Sequence, residues 1–477
     1  MAGDLCAQCA SFEESLENIA DDYYSEQSTR TLAPNLASLE KSALQGCPLC
    51  QIVYQSWSYD EHSAFYEEQR EIQITAMNAC FQDDSGHKTL KVFVDHHGAT
   101  FGFLLPVLAN NTKKQVFDDY QNSFRQILDL NTPDSIRRVV PLALKWIHNC
   151  RQTHKHCSSD HTKTEYKALP TRLIDVGTDS HQQPPKVFVP QVHPRSLEYV
   201  ALSYAWGSGS NFTKTTASNL ESMTERLPWS KLPKTIQDAI MLTRELGVRY
   251  LWVDALCILQ SEGPEDARHR EDWSYEAARF GQYYQNALLT IAATGARSSD
   301  DGLLLPRPAS RFESKSVTLR RERPSGEALN DTIRPRIPSW YTETEHAPLL
   351  RRGWAIQEQF LSRRVLHFAA NMILWECHEC RATELDPHGL NPVGPEKVLV
   401  LLSGFKTMFR DLYINGLEHR NFMSEWYNFI ADYSDKQFTF ISDRLPALSG
   451  IAAIIQNRTQ QKYVAGLWES AIPEGLA

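Results

Sequence analysis

Apolar residues recur at helical spacing in LASLEKSALQGCPLCQIVYQSW (residues 36–57), and from Ile72 to Val107 the period switches. The runs IQITAMNACF, LKVFVDHHG and ATFGFLLPVL, broken by DDSGHK and glycine, predict a small antiparallel sheet. A helix is predicted over 134–157: Thr132-Pro133-Asp134 marks its start, IRRVVPLALKWIHNC supplies the apolar face, and Pro141 kinks it. Residues 158–195, rich in Ser, Thr, His, Gln and Pro, read as a connection crossed by two short strands, TRLIDV and KVFV.

A different grammar follows. YVALSYAWG is a near-continuous apolar strand and LPKTIQDAIMLTRELG an amphipathic helix ended by Gly247. YLWVDALCIL is a second buried strand, EDWSYEAARFGQYYQ a helix and NALLTIAAT a third strand. Strand, helix, strand, helix, strand with few polar breaks predicts an α/β fold: a mainly parallel, Rossmann-like sheet with helices on both faces. Prolines 306, 308, 324, 335 and 338 make the stretch to about Tyr341 irregular. RRGWAIQEQFLSRR then predicts a helix leading into a strand, VLHFAANMILWEC, and the tail from about 396 reads as mostly helical. The pattern divides the chain into a Cys-rich α+β cap (1–160), a linker (161–195), the α/β domain (196–370) and a mostly helical extension (371–477).

Composition narrows the function classes. The 477 residues, 42% of them hydrophobic, can bury a core without disulfides. A net charge of -9 excludes nucleic-acid binding through overall basicity. The cluster Arg320, Arg321, Arg323 reads as a solvated face. MAGDLCAQCASFEES has neither a basic n-region nor an apolar h-region, and no apolar run nears the roughly 20 residues that span a bilayer, so a chain that is neither secreted nor membrane-spanning is expected.

In a reducing compartment the pairs Cys6/Cys9 and Cys47/Cys50 are candidate ligands of one structural tetrahedral zinc, with redox or free thiols as the alternative. Cys150, His154 and Cys157 share a helical face, which metal binding and core packing explain about equally; His161 would be the fourth ligand. Cys377 and Cys380 form another CxxC without an evident second pair.

YVALSYAWG and LWVDALCILQ, with LPKTIQDAI, DW followed by YYQNALLTIAAT, and RRGWAIQEQFLSRRVLHF, resemble the fungal heterokaryon-incompatibility (HET) domain family over about residues 199–368. The flanking CxxC pairs, WIHNCRQTHKHC, SDRLPALSGIA and YVAGLW are similar to segments found around that domain. The resemblance implies a cytoplasmic effector of fungal non-self recognition and programmed cell death, with an activating partner protein. It also implies a distant likeness to TIR domains, some of which cleave NAD using a glutamate on a helix. Trp273-Ser-Tyr-Glu276 stands where TIR domains carry WCxxE, but Glu276 is one residue short, which turns its carboxylate by about 100° on a helix.

In such a sheet, ligands collect at the carboxyl ends of the strands. Asp254, Glu276 and Glu358 are the candidate catalytic carboxylates for a nicotinamide-bond hydrolase, Glu358 foremost. Ser203, Tyr204, Trp206, Gly207, Arg352, Trp354 and Gln357 are the candidates for holding NAD or a similar small nucleotide. Each has a plainer reading: Asp254 paired with an arginine such as Arg352, Glu276 solvated or capping, Glu358 exposed, Cys257 a small buried hydrophobe, the aromatics core. The alternative functions are a non-catalytic TIR-like scaffold that self-associates, and a metabolic enzyme acting on a small molecule.

Overall fold

The computed structural model of the chain describes residues 5–15, 29–58, 72–77, 88–94, 101–108, 134–157, 168–178, 183–190, 197–207, 212–307, 312, 316–322, 325–326, 328–335, 338, 340–345, 347–388 and 422–472. The chain forms two compact units, Met1–Asp129 with Arg307–Thr342, and Leu130–Pro306 with Glu343–Ala477.

The first unit opens with α1 (Ala7–Glu14), β1 (Thr29–Ala33), α2 (Leu36–Leu44) and α3 (Pro48–Ser58). Asn35 caps α2 by accepting from Ser38 N at 2.8 Å. The helical run predicted over 36–57 breaks because Gly46, at φ 99°, ends α2, and Pro48 then opens α3 where its missing N–H costs nothing. The antiparallel sheet is present as β2 (Ile72–Met77), β3 (Lys88–Val94) and β4 (Phe101–Leu108). Two strands from the stretch predicted to be irregular, β10 (Val317–Glu322) and β11 (Ala328–Ile333), complete it in the order β1-β2-β3-β4-β11-β10. Their signal is short: Val317 and Leu319 point inward and Thr318 and Arg320 outward, after which Arg321 breaks the contrast. Cys9, Phe12, Leu39, Leu49, Val53, Leu319 and Ile333 share one core.

The second unit is a mixed eight-stranded sheet in the order β14-β13-β12-β9-β7-β8-β5-β6. After α4 (Ser135–Thr153), which carries Pro141 inside it, come β5 (Leu173–Asp175) and β6 (Lys186–Phe188). These two strands, read within the connection, join the large sheet, β5 pairing antiparallel with β8. The middle of the sheet is β7 (Val200–Ser203), β8 (Tyr250–Trp252), β9 (Leu289–Ala292) and β12 (Arg364–Phe368), all parallel. Every residue of β7, β9 and β12 is buried, which explains the largely apolar sequence of β7 and β9; in β12 the polar Arg364 and His367 are buried as well. The hairpin of β12 with β13 (Ile373–Cys377), followed by β14 (Arg381–Thr383), adds an antiparallel edge.

From β7 the chain passes through α5 (Lys234–Glu245) to β8 on one side. It then runs through α6 (Asp254–Cys257), α7 (Ala267–Ala277) and α8 (Phe280–Asn286) to β9 on the other side of β7. Strand order therefore reverses at β7, and such a reversal opens a crevice at the carboxyl ends of the strands. The strand predicted to run to Leu259 stops at Trp252. Asp254 starts a one-turn helix there, with Ile258 N bonded to Asp254 O at 3.0 Å, and the apolar ALCI stays buried as a helix.

Beyond β9, α9 (Gly353–Leu361) packs on α8 and on α11 (Pro446–Thr459), and with α10 (Phe422–Ser434) encloses Phe360, Trp426, Phe429, Ile451 and Trp468. YVAGLW is a two-stranded hairpin, β15 (Tyr463–Val464) and β16 (Leu467–Trp468), turning through Ala465 and Gly466 at positive φ. The predicted helix in VLVLLSGFKTMFRDLYI lies outside the described residues. Among the described residues no helix is long and apolar enough to cross a membrane.

Candidate functional site

At the end of β7 the chain leaves the sheet through Ser203, Tyr204 and Trp206 and turns at Gly207. That glycine sits at φ +88°, and a Cβ there would lie 2.7 Å from Ser298 Cβ, so both backbone and space demand glycine. Trp206 Nε1 donates to Asp254 Oδ2 at 3.1 Å, and Ala255 N donates to Asp254 Oδ1 at 2.6 Å. The first turn of α6 thus presents Asp254 to the indole. Lys214 Nζ stands 4.3 Å from the Trp206 ring centroid, a cation on an aromatic face. Trp206 and Asp254 are partly exposed, whereas Ser203, Tyr204 and Glu358 are buried.

The second wall is the RRGW block. Arg352, half-buried just before α9, donates through Nη1 to Tyr204 O and so fastens the start of the helix to the end of β7. Gly353 follows because the Phe438 ring covers it: a Cβ would lie 1.7 Å from Phe438 Cζ. Gly353→Ala is therefore expected to displace Phe438 and cost about 1–3 kcal/mol. Thermal melts would show a Tm several degrees lower; an unchanged Tm would contradict this packing.

Glu358 lies on α9 beneath the crevice. Burial pushes its carboxyl up to about 7; Arg352's charge and the hydroxyls of Ser203 and Tyr284 pull it down, while the charge of Asp254 pushes it up further. Asp254 is also raised, first by burial, against the opposing pull of Arg352 and the Ala255 and Trp206 N–H groups. Burial and the two carboxylates hold the Tyr204 and Tyr284 hydroxyls well above the ordinary tyrosine range. Among the described residues, Glu358 Oε2, Ser203 Oγ and the Tyr204 hydroxyl make no well-aligned hydrogen bond, although Ser203 stands close enough to Glu358, and Tyr204 to Asp254, to favour the carboxylate forms. Such atoms are rare in folded proteins; three of those in this chain lie near Arg352 and the two acids, and two others, Glu276 Oε2 and the Tyr283 hydroxyl, lie at the other candidate carboxylate.

The other candidates sit differently. Glu276, expected to be solvated or a cap, is fully buried: Thr171 Oγ1 donates to it, and burial raises its pKa against the pull of Thr171, Tyr283 and Arg172. It stands beside the buried pair Arg172–Asp272, in which Arg172 Nε also donates to Cys257 O at 2.7 Å. Trp354 sends its Nε1 to Asp443 Oδ2 at 3.2 Å and sets its ring edgewise to Trp273 and Phe280. The Gln357 amide, turned to donate to Ala447 O at 2.7 Å and to accept from Gly281 N at 3.1 Å, joins α9 to α11 and α8. Cys257 is a buried small hydrophobe, its thiol pushed up to about 12 by burial. The sequence reading missed Lys214 and Tyr284; the second stands in the YYQN block, at the end of the stretch read only as a helix.

In the other unit, α1 and the start of α3 bring together Cys6, Cys9, Cys47 and Cys50. The Sγ separations are 3.7 Å for Cys6–Cys50, 3.5 Å for Cys9–Cys50 and 3.5 Å for Cys9–Cys47. Four thiolates about 2.3 Å from one tetrahedral metal ion would stand roughly 3.8 Å apart, so this quartet can hold such an ion.

Residues 199–358 match the family model of the heterokaryon incompatibility protein (HET), a span that starts at the residue before β7 and ends on Glu358. Tyr204, Trp206, Asp254, Arg352 and Glu358 all lie within it. No curated protein and no solved structure matches the chain.

Proposed function

We propose that the HET domain at residues 199–358 is the effector part of a heterokaryon-incompatibility protein, and that its crevice binds NAD or a similar nucleotide and cleaves the nicotinamide glycosidic bond. The family match supports the role in incompatibility. The chemistry rests on one observation: three buried polar atoms without a well-aligned hydrogen bond, on Ser203, Tyr204 and Glu358, lie near Arg352 and Asp254 where strand order reverses.

The bond between ribose C1′ and the pyridinium nitrogen breaks with its electron pair going to nitrogen, so nicotinamide leaves neutral and C1′ gains positive character. An ionised Glu358 stabilises that charge, and water adds to C1′ as its proton passes to a carboxylate or to solvent. Trp206 offers a face for the base, and Lys214 and Arg352 supply positive charge for the pyrophosphate. Asp254, held by Trp206 and Ala255, orients the ribose. In the cap, the cysteine quartet binds zinc, and with four protein ligands that ion is structural.

Incubating the full chain with NAD and separating the products tests the reading. Release of nicotinamide with ADP-ribose is expected. No release, under dilute conditions and under conditions that favour assembly, would overturn it and leave the self-associating scaffold ahead.

A further inference from the structure

Away from the crevice, four more metal-ligating side chains of the second unit converge. α4 ends at Thr153, His154 leaves helical geometry, and a single 3-10 turn, Lys155–Cys157, folds Cys157 back toward Cys150. Cys377, the last residue of β13, meets them from the sheet, its Sγ 3.3 Å from His154 Nδ1. The three sulfurs and one imidazole nitrogen all lie within 4.8 Å of one another, with the cysteines buried and His154 half-buried. Zn–S bonds of about 2.3 Å and a Zn–N bond of about 2.0 Å put tetrahedral ligand atoms roughly 3.5–3.8 Å apart, which fits this spacing.

Apolar packing alone does not explain the surroundings. Arg364, 5% exposed, donates from Nε to Cys150 Sγ at 3.2 Å, from Nη2 to Cys157 O at 2.8 Å and from Nη1 to Leu288 O at 3.2 Å. A buried guanidinium needs negative charge beside it. Three thiolates on a divalent ion leave one net negative charge, which Arg364 balances while orienting the ligands from outside the coordination shell. Cys380, the other half of the CxxC, is turned away: its carbonyl accepts from Cys377 N at 2.9 Å and its thiol donates to Arg381 O at 3.5 Å. Trp146 stacks on Trp375 with ring centroids 5.9 Å apart, so the same helix and strand are already in register.

We propose that Cys150, His154, Cys157 and Cys377 bind a second structural zinc, which fastens the end of α4 to the β12–β13 hairpin. His161, the fourth ligand expected from the sequence, lies outside the described residues; Cys377 takes that place. All four positions are filled by protein, so the ion has no open coordination site and no hydrolytic role.

Metal analysis of full-length protein purified without chelator tests this independently of any enzymatic activity. Two equivalents of zinc are expected in the wild type, and one in a Cys9→Ser, Cys47→Ser double variant that lacks the first quartet. Cys377→Ser should lose one equivalent, whereas Cys380→Ser and Cys377→His should keep both. Where Cys377→Ser does not fold, cobalt substitution of the double variant gives the answer, since a Cys₃His site shows thiolate-to-cobalt charge transfer and tetrahedral d–d bands. No zinc or cobalt in the double variant, an equal loss in Cys380→Ser, or a mapped disulfide among these cysteines would overturn the proposal.

Discussion

Glu358→Gln is expected to lower NAD cleavage by about 10²–10³-fold while leaving nucleotide affinity nearly unchanged, because the amide keeps the shape of the side chain and removes only the charge that the transition state needs. The same variant should be more stable than the wild type at neutral and alkaline pH. Below the ordinary carboxyl value of 4.5 the group is protonated in both folded and unfolded chains, and substitution changes little. Between 4.5 and about 7 the unfolded chain gives up the proton while the folded chain keeps it, so wild-type stability falls as pH rises through that window. Above about 7 the full difference is present, about 3 kcal/mol, as the energy of holding a carboxylate in a buried place. Turnover should move the other way, rising with pH through about 7 as Glu358 ionises. Paired melts of wild type and variant from pH 4 to pH 8, with a pH–rate profile of the wild type, check both signs. A gap that is constant with pH would mean that Glu358 ionises normally. Unchanged turnover in the variant would move the catalytic role to Asp254 or Glu276.

Where burial is complete, the sequence states it plainly for β7 and β9, which are read as near-continuous apolar runs because no side of those strands meets water; β12 is as fully buried but carries Arg364 and His367. The same property hides the change of backbone at Trp252. A fully buried helical turn and a fully buried strand have the same composition, and only Asp254 inside LWVDALCIL marks the place where the chain bends. The hairpin β10–β11 escapes notice because few alternating positions precede Arg321. At the crevice, Trp206, Asp254, Arg352 and Glu358 are legible as polar or aromatic residues lodged in apolar motif blocks. Their convergence depends on Arg352 reaching Tyr204 O, a contact across 148 positions of chain that no local pattern encodes. Glu276 shows the opposite failure: its helix looks solvated, with exposed neighbours such as Tyr275, yet Thr171 comes over from the start of the sheet to bury it. The nearness of Cys6, Cys9, Cys47 and Cys50 was readable from their CxxC spacing, while the approach of Cys377 to His154, across 223 positions of chain, was not.

Removing the metal from the first cysteine quartet should unfold the start of the first unit. α1 has eight residues, too few to be helical alone, and it buries only Cys9 and Phe12 against β1 and β10. The four sulfur ligands join α1 to the start of α3, and structural zinc sites contribute on the order of 10 kcal/mol to the folding of small metal-bound units. Part of that energy is replaced by the remaining core, so a loss of roughly 5 kcal/mol is the expected effect of Cys9→Ser, which for a unit of this size lowers Tm by about 10–20 °C. A chelator should produce the same fall in the wild type and almost none in the variant, since the contribution can be removed only once. A disulfide would behave differently: reductant would lower the wild-type Tm and chelator would not. Cys47→His offers a control that preserves metal binding, because imidazole replaces a thiolate in tetrahedral zinc sites. Acid should release the ion as the thiolates are protonated, so the stabilisation should be present at neutral pH and vanish on acidification. Equal melting of Cys9→Ser and wild type, with or without chelator, would show that the quartet holds the unit together by packing alone.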